Sequence, residues 1–584
     1  MPTSFKLHSR LLCLVAVFLT SQGHGYNGIL LESNALKQIQ SPQVFLLKDL
    51  LTATETKYLG IDFYVSSRRE TLLKNAENYL QYRKTKSPKV KLDFLASCEK
   101  SNNGFCEYEK DRLSKFESSE PILNKDSSQQ IRKWILEPDL SRLENLKYHE
   151  LTSALKAISD PEKLQPLIQI LKASAGCASS TLLNSVAAKL EEYFPDERFI
   201  ADAKSLYSKS VECGDDSASL KAAYRLSILN IWQNQCDIAQ SLLPSVELAL
   251  SEYQSRAKYW ELYCAEKQGL ASITEKSSLS RDSNLKNESL INFQNIMVHG
   301  DQVQAQISND QNLELQVMNR SIIDAGSNSS IEAIEALIAL KEPVRAAELT
   351  ENLLPKSSES EAEFKLYLAF LMHVTQNSIA KFHILSQLFV EAPRMIHEST
   401  LKMYFPLEFY DSAKENAKDL DPFIILSIIR QESAFNPKAR SKAGARGLMQ
   451  VMVPTAKKIA FLSSRKLFDP STNVKVGVKL FLNQVQRFDG DIELALAAYN
   501  AGRFKVEAWQ KRYPASDKML FLDLIPYKET REYVTMILRN YYWYQRLYGD
   551  KSPDKKSVYK MPSLIERISE TNDKLKALSS TVSN

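Results

Sequence analysis

The sequence predicts a mainly α-helical protein in two parts. An α-superhelical, solenoid-like region spans 26–400 and a compact α-rich domain spans 401–550. Three observations carry this. Stripes of Leu, Ala and Ile recur at helical spacing between short turns throughout the first part. At 584 residues, the chain is too long for a single hydrophobic core. After residue 400, start and stop signals such as Asp421-Pro422 and Asp491 with Gly502 frame individual helices. A hydrophobic fraction of 44% and a charged fraction of 25% are ordinary globular values. The net charge of +5 is small for this length, which argues against a dedicated nucleic-acid binder but suits weak attraction to an anionic polymer.

Residues 1–25 read as a secretory signal peptide rather than as fold. Lys6, His8 and Arg10 precede the apolar run LLCLVAVFL (11–19), and Ser21 to Gly25 supply small residues at cleavage spacing. An uncleaved anchor is the alternative, but the run is too short to span a bilayer comfortably. Cys13 lies inside the run, which argues against a lipid anchor. No later stretch suits a membrane helix, so a soluble, exported protein without a stable membrane anchor is expected. Six further cysteines remain, at 98, 106, 177, 213, 236 and 264. An even count in an oxidising compartment permits three disulfides. Cys98 and Cys106 flank a polar loop and form the favoured local pair. Fifteen connectivities stay open, as do buried free thiols. The cysteines lack paired C-x-x-C spacing and the histidines are scattered, so no metal and no cofactor are expected.

The region 26–400 alternates helical stripes such as EKLQPLIQILKAS and TLLNSVAAKLEEYF with turns such as Ser159-Asp160-Pro161. Helical pairs are expected over 219–269 and 330–354, the latter with small residues at Ala333, Ala336, Ala346 and Ala347 for close packing. They resemble tetratricopeptide-like pairs without a strict period. A degenerate solenoid of this kind offers a broad concave surface for a polymer or for protein partners; helices with no role beyond shape are the plain alternative. From about 273 to 330 the chain turns polar. Within it, 302–307 and 313–317 alternate polar and apolar residues about Asn309-Asp310, which predicts a small β-hairpin near 302–318, with disorder as the alternative. Residues 551–584 read as a C-terminal tail.

The chemistry concentrates in DPFIILSIIRQESAFNPKARSKAGARGLMQVM (421–452). Ile424, Ile425, Ile428 and Ile429 mark one buried helical face, and the next position on that face is Glu432. Burial there disfavours the carboxylate and raises its pKa, which suits a general acid near neutral pH. The bland reading is the first solvated residue of a fraying helix. Asn436-Pro437 ends the helix. The run from Ala439 through Gly444, Gly447 and Gln450 to Met452 then sets glycine turns beside a hydrogen-bonding amide and an adaptable apolar wall.

Taken together, RQESAFNP (430–437), ARSKAGARGLMQVM (439–452), AAYNAG (497–502) with Trp509, and IPYKETREYV (525–534) resemble the soluble lytic murein transglycosylase family. YFPLEFYD (404–411) resembles its lead-in. The resemblance is dense over about 400–545 and extends to the helical arm only in general character. Where the family carries an MPGTA-like run, this chain has Met452-Val453-Pro454-Thr455-Ala456.

This resemblance implies a goose-type lysozyme-like catalytic domain acting on peptidoglycan glycan strands in the periplasm. It implies that Glu432 is the single catalytic acid/base and that Tyr499 supports it by a hydrogen bond. Ser441, Gln450, Met452, Asn500 and Glu529 are expected to contact substrate. Tyr499 has a bland alternative as a buried tyrosine with a satisfied hydroxyl, and Glu529 as a helix-start charge. The aromatic run 541–544 is read as packing for the final helix, with a sugar platform as its rival. A hydrolytic muramidase on the same fold and a non-catalytic peptidoglycan-binding scaffold are the competing functions.

Overall fold

The computed structural model describes residues 44–46, 69–269, 314–316, 330–350 and 362–549, less short interruptions within the longer runs. The expected signal peptide and C-terminal tail lie outside the described residues. The described chain is mainly α-helical. It divides into two compact units, each built from two separate stretches of sequence. The described residues within 1–120 and 307–406 form one, and those within 121–306 and 407–584 form the other. The stretch 26–400 is thus shared between both units.

In the first unit, the helices Arg69–Lys84, Pro88–Lys100 and Gly104–Glu117 enclose an aromatic core. The Tyr79 and Phe105 rings stack at 4.9 Å, and Tyr82 and Phe94 at 4.5 Å. A disulfide joins Cys98 to Cys106, the pairing expected from the sequence. Glu109 is buried beneath these rings, where it accepts from Tyr82 Oη at 3.1 Å and pairs with Arg83 at 3.0 Å and Arg112 at 2.7 Å. Arg83 also pairs with Glu348, which ties the early helices to the later stretch of the unit. There, Ala362–Val374 packs on Ser378–Glu391 through Leu368, Leu371, Leu385 and Leu388.

The expected hairpin near 302–318 is corrected here. Glu314–Gln316 is a strand, but its antiparallel partner is Val44–Leu46, with Leu315 opposite Phe45. Residues 302–307 lie outside the described residues. Local alternation indicates a strand; long-range packing selects which edge it joins.

In the second unit, successive helices Ser180–Glu191, Glu197–Glu212, Ser217–Trp232, Cys236–Ala249 and Gln254–Lys267 pack in antiparallel sequence neighbours. A Cys236–Cys264 disulfide staples the last two, and Cys213 is disulfide-bonded as well. These helices bury one flank of the C-terminal domain around Asp523. That carboxylate is 2% exposed and accepts from Tyr224 Oη at 2.9 Å and Trp260 Nε1 at 2.7 Å, with Arg256 at 3.6 Å. Arg225 donates to the Asp523 carbonyl while pairing with buried Glu191 at 2.8 Å. Arg256 reaches further, donating to Thr535 Oγ1 at 3.2 Å.

The C-terminal domain is organised around the helix Pro422–Ser433, whose residues Phe423 to Arg430 are all buried. Asp421 caps it, accepting from the Phe423 amide at 2.9 Å. It packs chiefly along Lys528–Tyr548, the last described helix. Tyr541, Trp543 and Tyr544 are buried in that helix, so the aromatic run is packing. Tyr541 and Gln545 also donate to the Asp421 carboxylate, which fixes the two helices at their far ends.

Candidate active site

Glu432 sits in the last turn of the Pro422–Ser433 helix, beyond three isoleucines, Ile425, Ile428 and Ile429, that have no exposure to solvent. The helix stops abruptly. Ala434 and Phe435 both adopt left-handed backbone, with φ of 48° and 64°. Each such non-glycine residue costs about 1–2 kcal/mol, which packing of buried Phe435 offsets. The reversal holds Glu432 at the edge of the core instead of letting the helix carry it into solvent.

Tyr533, buried in the Lys528–Tyr548 helix, donates its hydroxyl to Glu432 Oε1 at 2.6 Å. Burial is the dominant influence on the carboxyl and raises its pKa from 4.5 to about 7. The Tyr533 hydrogen bond favours the anion and opposes this shift, while the nearby Glu529 carboxylate adds to it. The negative end of the helix dipole acts in the same direction as burial. Glu432 is thus poised to hold a proton near neutral pH and to release it.

The expected hydrogen bond from Tyr499 to Glu432 is corrected by this geometry. Tyr499 Oη donates instead to the Met449 carbonyl at 2.8 Å. Tyr499 still neighbours the acid, since burial first and then the Glu432 charge raise its own pKa. Its bond fixes the wall of the site rather than the carboxylate. The helix that presents it, Ile492–Ala501, begins with the Asp491 cap and ends at Gly502 (φ 90°), as the sequence predicts.

That wall is the loop 436–452. Arg446 bridges antiparallel to both Arg440 and Val451, and Ser441 Oγ accepts from the Ala445 amide at 3.0 Å to close the turn between. Gln450 has left-handed backbone (φ 46°) and donates Nε2 to the Gly447 carbonyl at 2.9 Å. Fully buried Asn473 stitches the loop to the Pro470–Arg487 helix. Its Oδ1 accepts from the Met449 amide at 2.8 Å, and its Nδ2 donates to the carbonyls of Arg446 at 2.8 Å and Leu467 at 2.7 Å. A side chain at Gly447 (φ 75°) would run into Asn473 and the Leu467 carbonyl, so only glycine fits there. Met452 follows, 39% exposed at the loop's end.

Asn500 Oδ1 accepts from Thr530 Oγ1 at 2.7 Å, which clamps the end of the Tyr499 helix to the start of the Tyr533 helix. Beside Thr530, Glu529 is exposed. Of the residues expected from sequence, Glu432, Tyr499 and Glu529 therefore interact electrostatically in one site, with Gln450 and Asn500 on its framing contacts. Ser441 and Met452 belong to the loop wall, and no hydrogen bond among the described residues joins either to Glu432. Sequence reasoning missed Tyr533 and Asn473. Tyr533 had a usable signal, lying four residues after Glu529 on the same helical face. Asn473 had none beyond being a polar residue among valines.

Residues 409–522 match the Transglycosylase SLT domain family. Among curated proteins, the chain is similar to the soluble lytic murein transglycosylase of Escherichia coli (strain K12), 35% identical over 161 residues. It is also similar to the putative soluble lytic murein transglycosylase of Haemophilus influenzae, 35% identical over 156 residues. These matches take in 26% and 25% of this chain, and only 25% and 26% of the relatives' own length. Among solved structures, the 70 kDa soluble lytic transglycosylase of Escherichia coli is similar at a TM-score of 0.52 and 19% identity, covering 90% of this chain and 85% of that one. An inactive mutant of lytic transglycosylase Slt from Pseudomonas aeruginosa gives 0.51 and 19%, over 89% and 87%. At such identity these two likenesses speak to the fold alone, and they extend it through the N-terminal helical region.

Proposed function

We propose that this chain is a peptidoglycan lytic transglycosylase that cleaves the β-1,4 bond between N-acetylmuramic acid and N-acetylglucosamine. Protonated Glu432 gives its proton to the leaving glycosidic oxygen as the C1–O4 bond breaks. The resulting carboxylate then takes the proton of the muramyl C6 hydroxyl as O6 bonds to C1, leaving a 1,6-anhydro end. An intramolecular nucleophile lets one carboxylate serve both steps. The observation that carries this reading is the placement of Glu432 at the end of a buried isoleucine face, with Tyr533 donating to it at 2.6 Å, inside the stretch that matches the SLT domain; burial there raises its pKa to about 7. Tyr533 steadies the anion after the first proton leaves; Gln450, Met452, Asn500 and Glu529 line the strand's path, and Ser441 shapes it. The Cys98–Cys106 and Cys236–Cys264 disulfides support export to the periplasm, an oxidising compartment.

One observation favours a second reading. Glu529 lies close enough to influence Glu432 and is exposed, so it is available to activate water, as a second carboxylate does in hydrolytic glycosidases. Mass spectrometry of digested sacculi separates the two, because an anhydro end is one water lighter than a reducing end. The proposal expects anhydro products from the wild type and none from Glu432→Gln. Reducing ends would select hydrolysis, and undiminished digestion by the variant would overturn both.

A further inference from the structure

The last described helix, Lys528–Tyr548, carries both groups that adjust Glu432: Tyr533, which donates to it, and Glu529, whose charge opposes its anion. Successive residues turn by about 100° around a helix, so Arg531 and Thr535 share a face and Tyr533, two places from each, looks the other way. Tyr533 meets Glu432, while Arg531 and Thr535 are buried on the side of the helical region. Burial first, and then the neighbouring Arg225 charge, lowers the Arg531 pKa. Arg531 donates Nη1 to the carbonyls of Ile525 and, at 3.0 Å, Pro526, which draws the preceding loop onto the helix start. Thr535 Oγ1 accepts from Arg256 Nη2 at 3.2 Å, across 279 residues of sequence. The hydroxyl's own proton stays within the helix, on the Arg531 carbonyl at 3.0 Å.

Arg256 is buried near the start of the helix Gln254–Lys267, in the same unit as the site. A buried guanidinium is costly unless its arms are answered. Its Nη1 faces Asp523 Oδ1 at 3.6 Å, and Asp523 is itself held by Tyr224 and Trp260 of the helical region. One arm therefore rests on a fixed base, while the other goes to a hydroxyl two residues from the donor to Glu432. On its other side, Asn500 clamps Thr530 at the helix start at 2.7 Å. That single point leaves rotation and sliding of the helix for a second contact to fix. A hydrogen bond as short as the 2.6 Å one from Tyr533 depends steeply on distance and angle, so a small shift of the helix weakens it. Among the described residues, Tyr533 and Glu529 face Glu432 from this helix and Tyr499 from Ile492–Ala501; only the first two move with it.

From this placement we propose that Arg256 is a positioning residue: acting from the helical region through Thr535, it sets the last helix so that the Tyr533 hydroxyl stays on Glu432. Its effect on turnover rests on the function proposed above. The test uses the full-length chain. Thr535→Val removes the acceptor and keeps the size, and Thr535→Ser restores the hydroxyl. Arg256→Lys keeps the charge beside Asp523 and gives up the second arm. Thr535→Val and Arg256→Lys should each lower kcat on sacculi by about five- to tenfold, with KM changed by less than about twofold. Both should move the high-pH limb upward, because the Tyr533 bond that favours the anion outweighs the Glu529 charge. Thr535→Ser should restore rate and limb together. Thr535→Val should add nothing to Tyr533→Phe, since both act through one hydroxyl. Variants that lower only the Tm, a serine that rescues nothing, or losses that multiply in the double variant would overturn the inference. A second readout needs no turnover. The Tm gap between each protein and its Glu432→Gln counterpart follows the acid's proton, and the pH at which it levels off should rise in Thr535→Val. Coincident gap curves for wild type and Thr535→Val would also overturn the inference. Curves that separate as expected in a protein that yields no product would sink the proposed function and leave this positioning role standing.

Discussion

Two carboxylates withdrawn from solvent in one unit, half-buried Glu432 and buried Asp523, show how partners decide what burial does. Asp523 is enclosed by a tyrosine, a tryptophan and an arginine, and its main-chain carbonyl is held by a second arginine. Its charge is answered from several directions, so it acts as a rivet between the helical region and the C-terminal domain. Glu432 has one hydroxyl donor and a like-charged neighbour. With too little to stabilise the anion, burial shows up as a raised pKa and hence a mobile proton. Desolvation is common to both sites; the number and sign of the partners separates a structural acid from a reactive one.

The largest effect that tests this contrast is on turnover. Glu432→Gln should lower product release by about 10³-fold or more, because it keeps the shape and removes the proton. Next comes stability. Asp523→Ala leaves Arg256 and its neighbours buried without their anion and should cost about 3–5 kcal/mol in urea denaturation. If Asp523→Ala left stability intact and instead displaced the pH profile, the contrast would collapse.

A smaller effect concerns tuning. Tyr533→Phe removes the donor that favours the Glu432 anion, so the high-pH limb of kcat/KM should move upward from about pH 7, with a rate loss of about tenfold. Glu529→Gln removes a like charge, so the same limb should move downward. Parallel movement in both variants would mean that neither acts through the Glu432 proton.

The subtlest expectation concerns stability against pH. Glu432 has a folded pKa raised from 4.5 to about 7, so its contribution to folding is complete below about 4.5 and is lost as pH rises through 7. The Tm of Glu432→Gln should therefore gain on that of the wild type across this window. A constant gap from pH 4 to 8 would count against a raised pKa.

Much of the site was legible because its signals are local. The Asp421 cap, the isoleucine face ending at Glu432, the Asp491 cap and the Gly502 stop depend on neighbours a few residues apart, and the structure has each of them. Tyr533 was harder to find, because its meeting with Glu432 crosses 101 residues and depends on how two helices pack. Tyr499 was assigned to the acid by resemblance, while the Met449 carbonyl that takes its hydroxyl is set by a loop conformation held in place by Asn473.

By itself, then, the sequence determined helices, caps, the mainly α class and the position where a carboxylate meets the end of an apolar stripe. Periodicity and capping are properties of contiguous residues, which is why they can be read along the chain. Only the tertiary structure decided that Glu314–Gln316 pairs with Val44–Leu46, that Asp523 is fully answered, and that Glu432 receives one donor from Tyr533. Those outcomes depend on which distant groups share a dry space, and desolvation has no size until that space is closed.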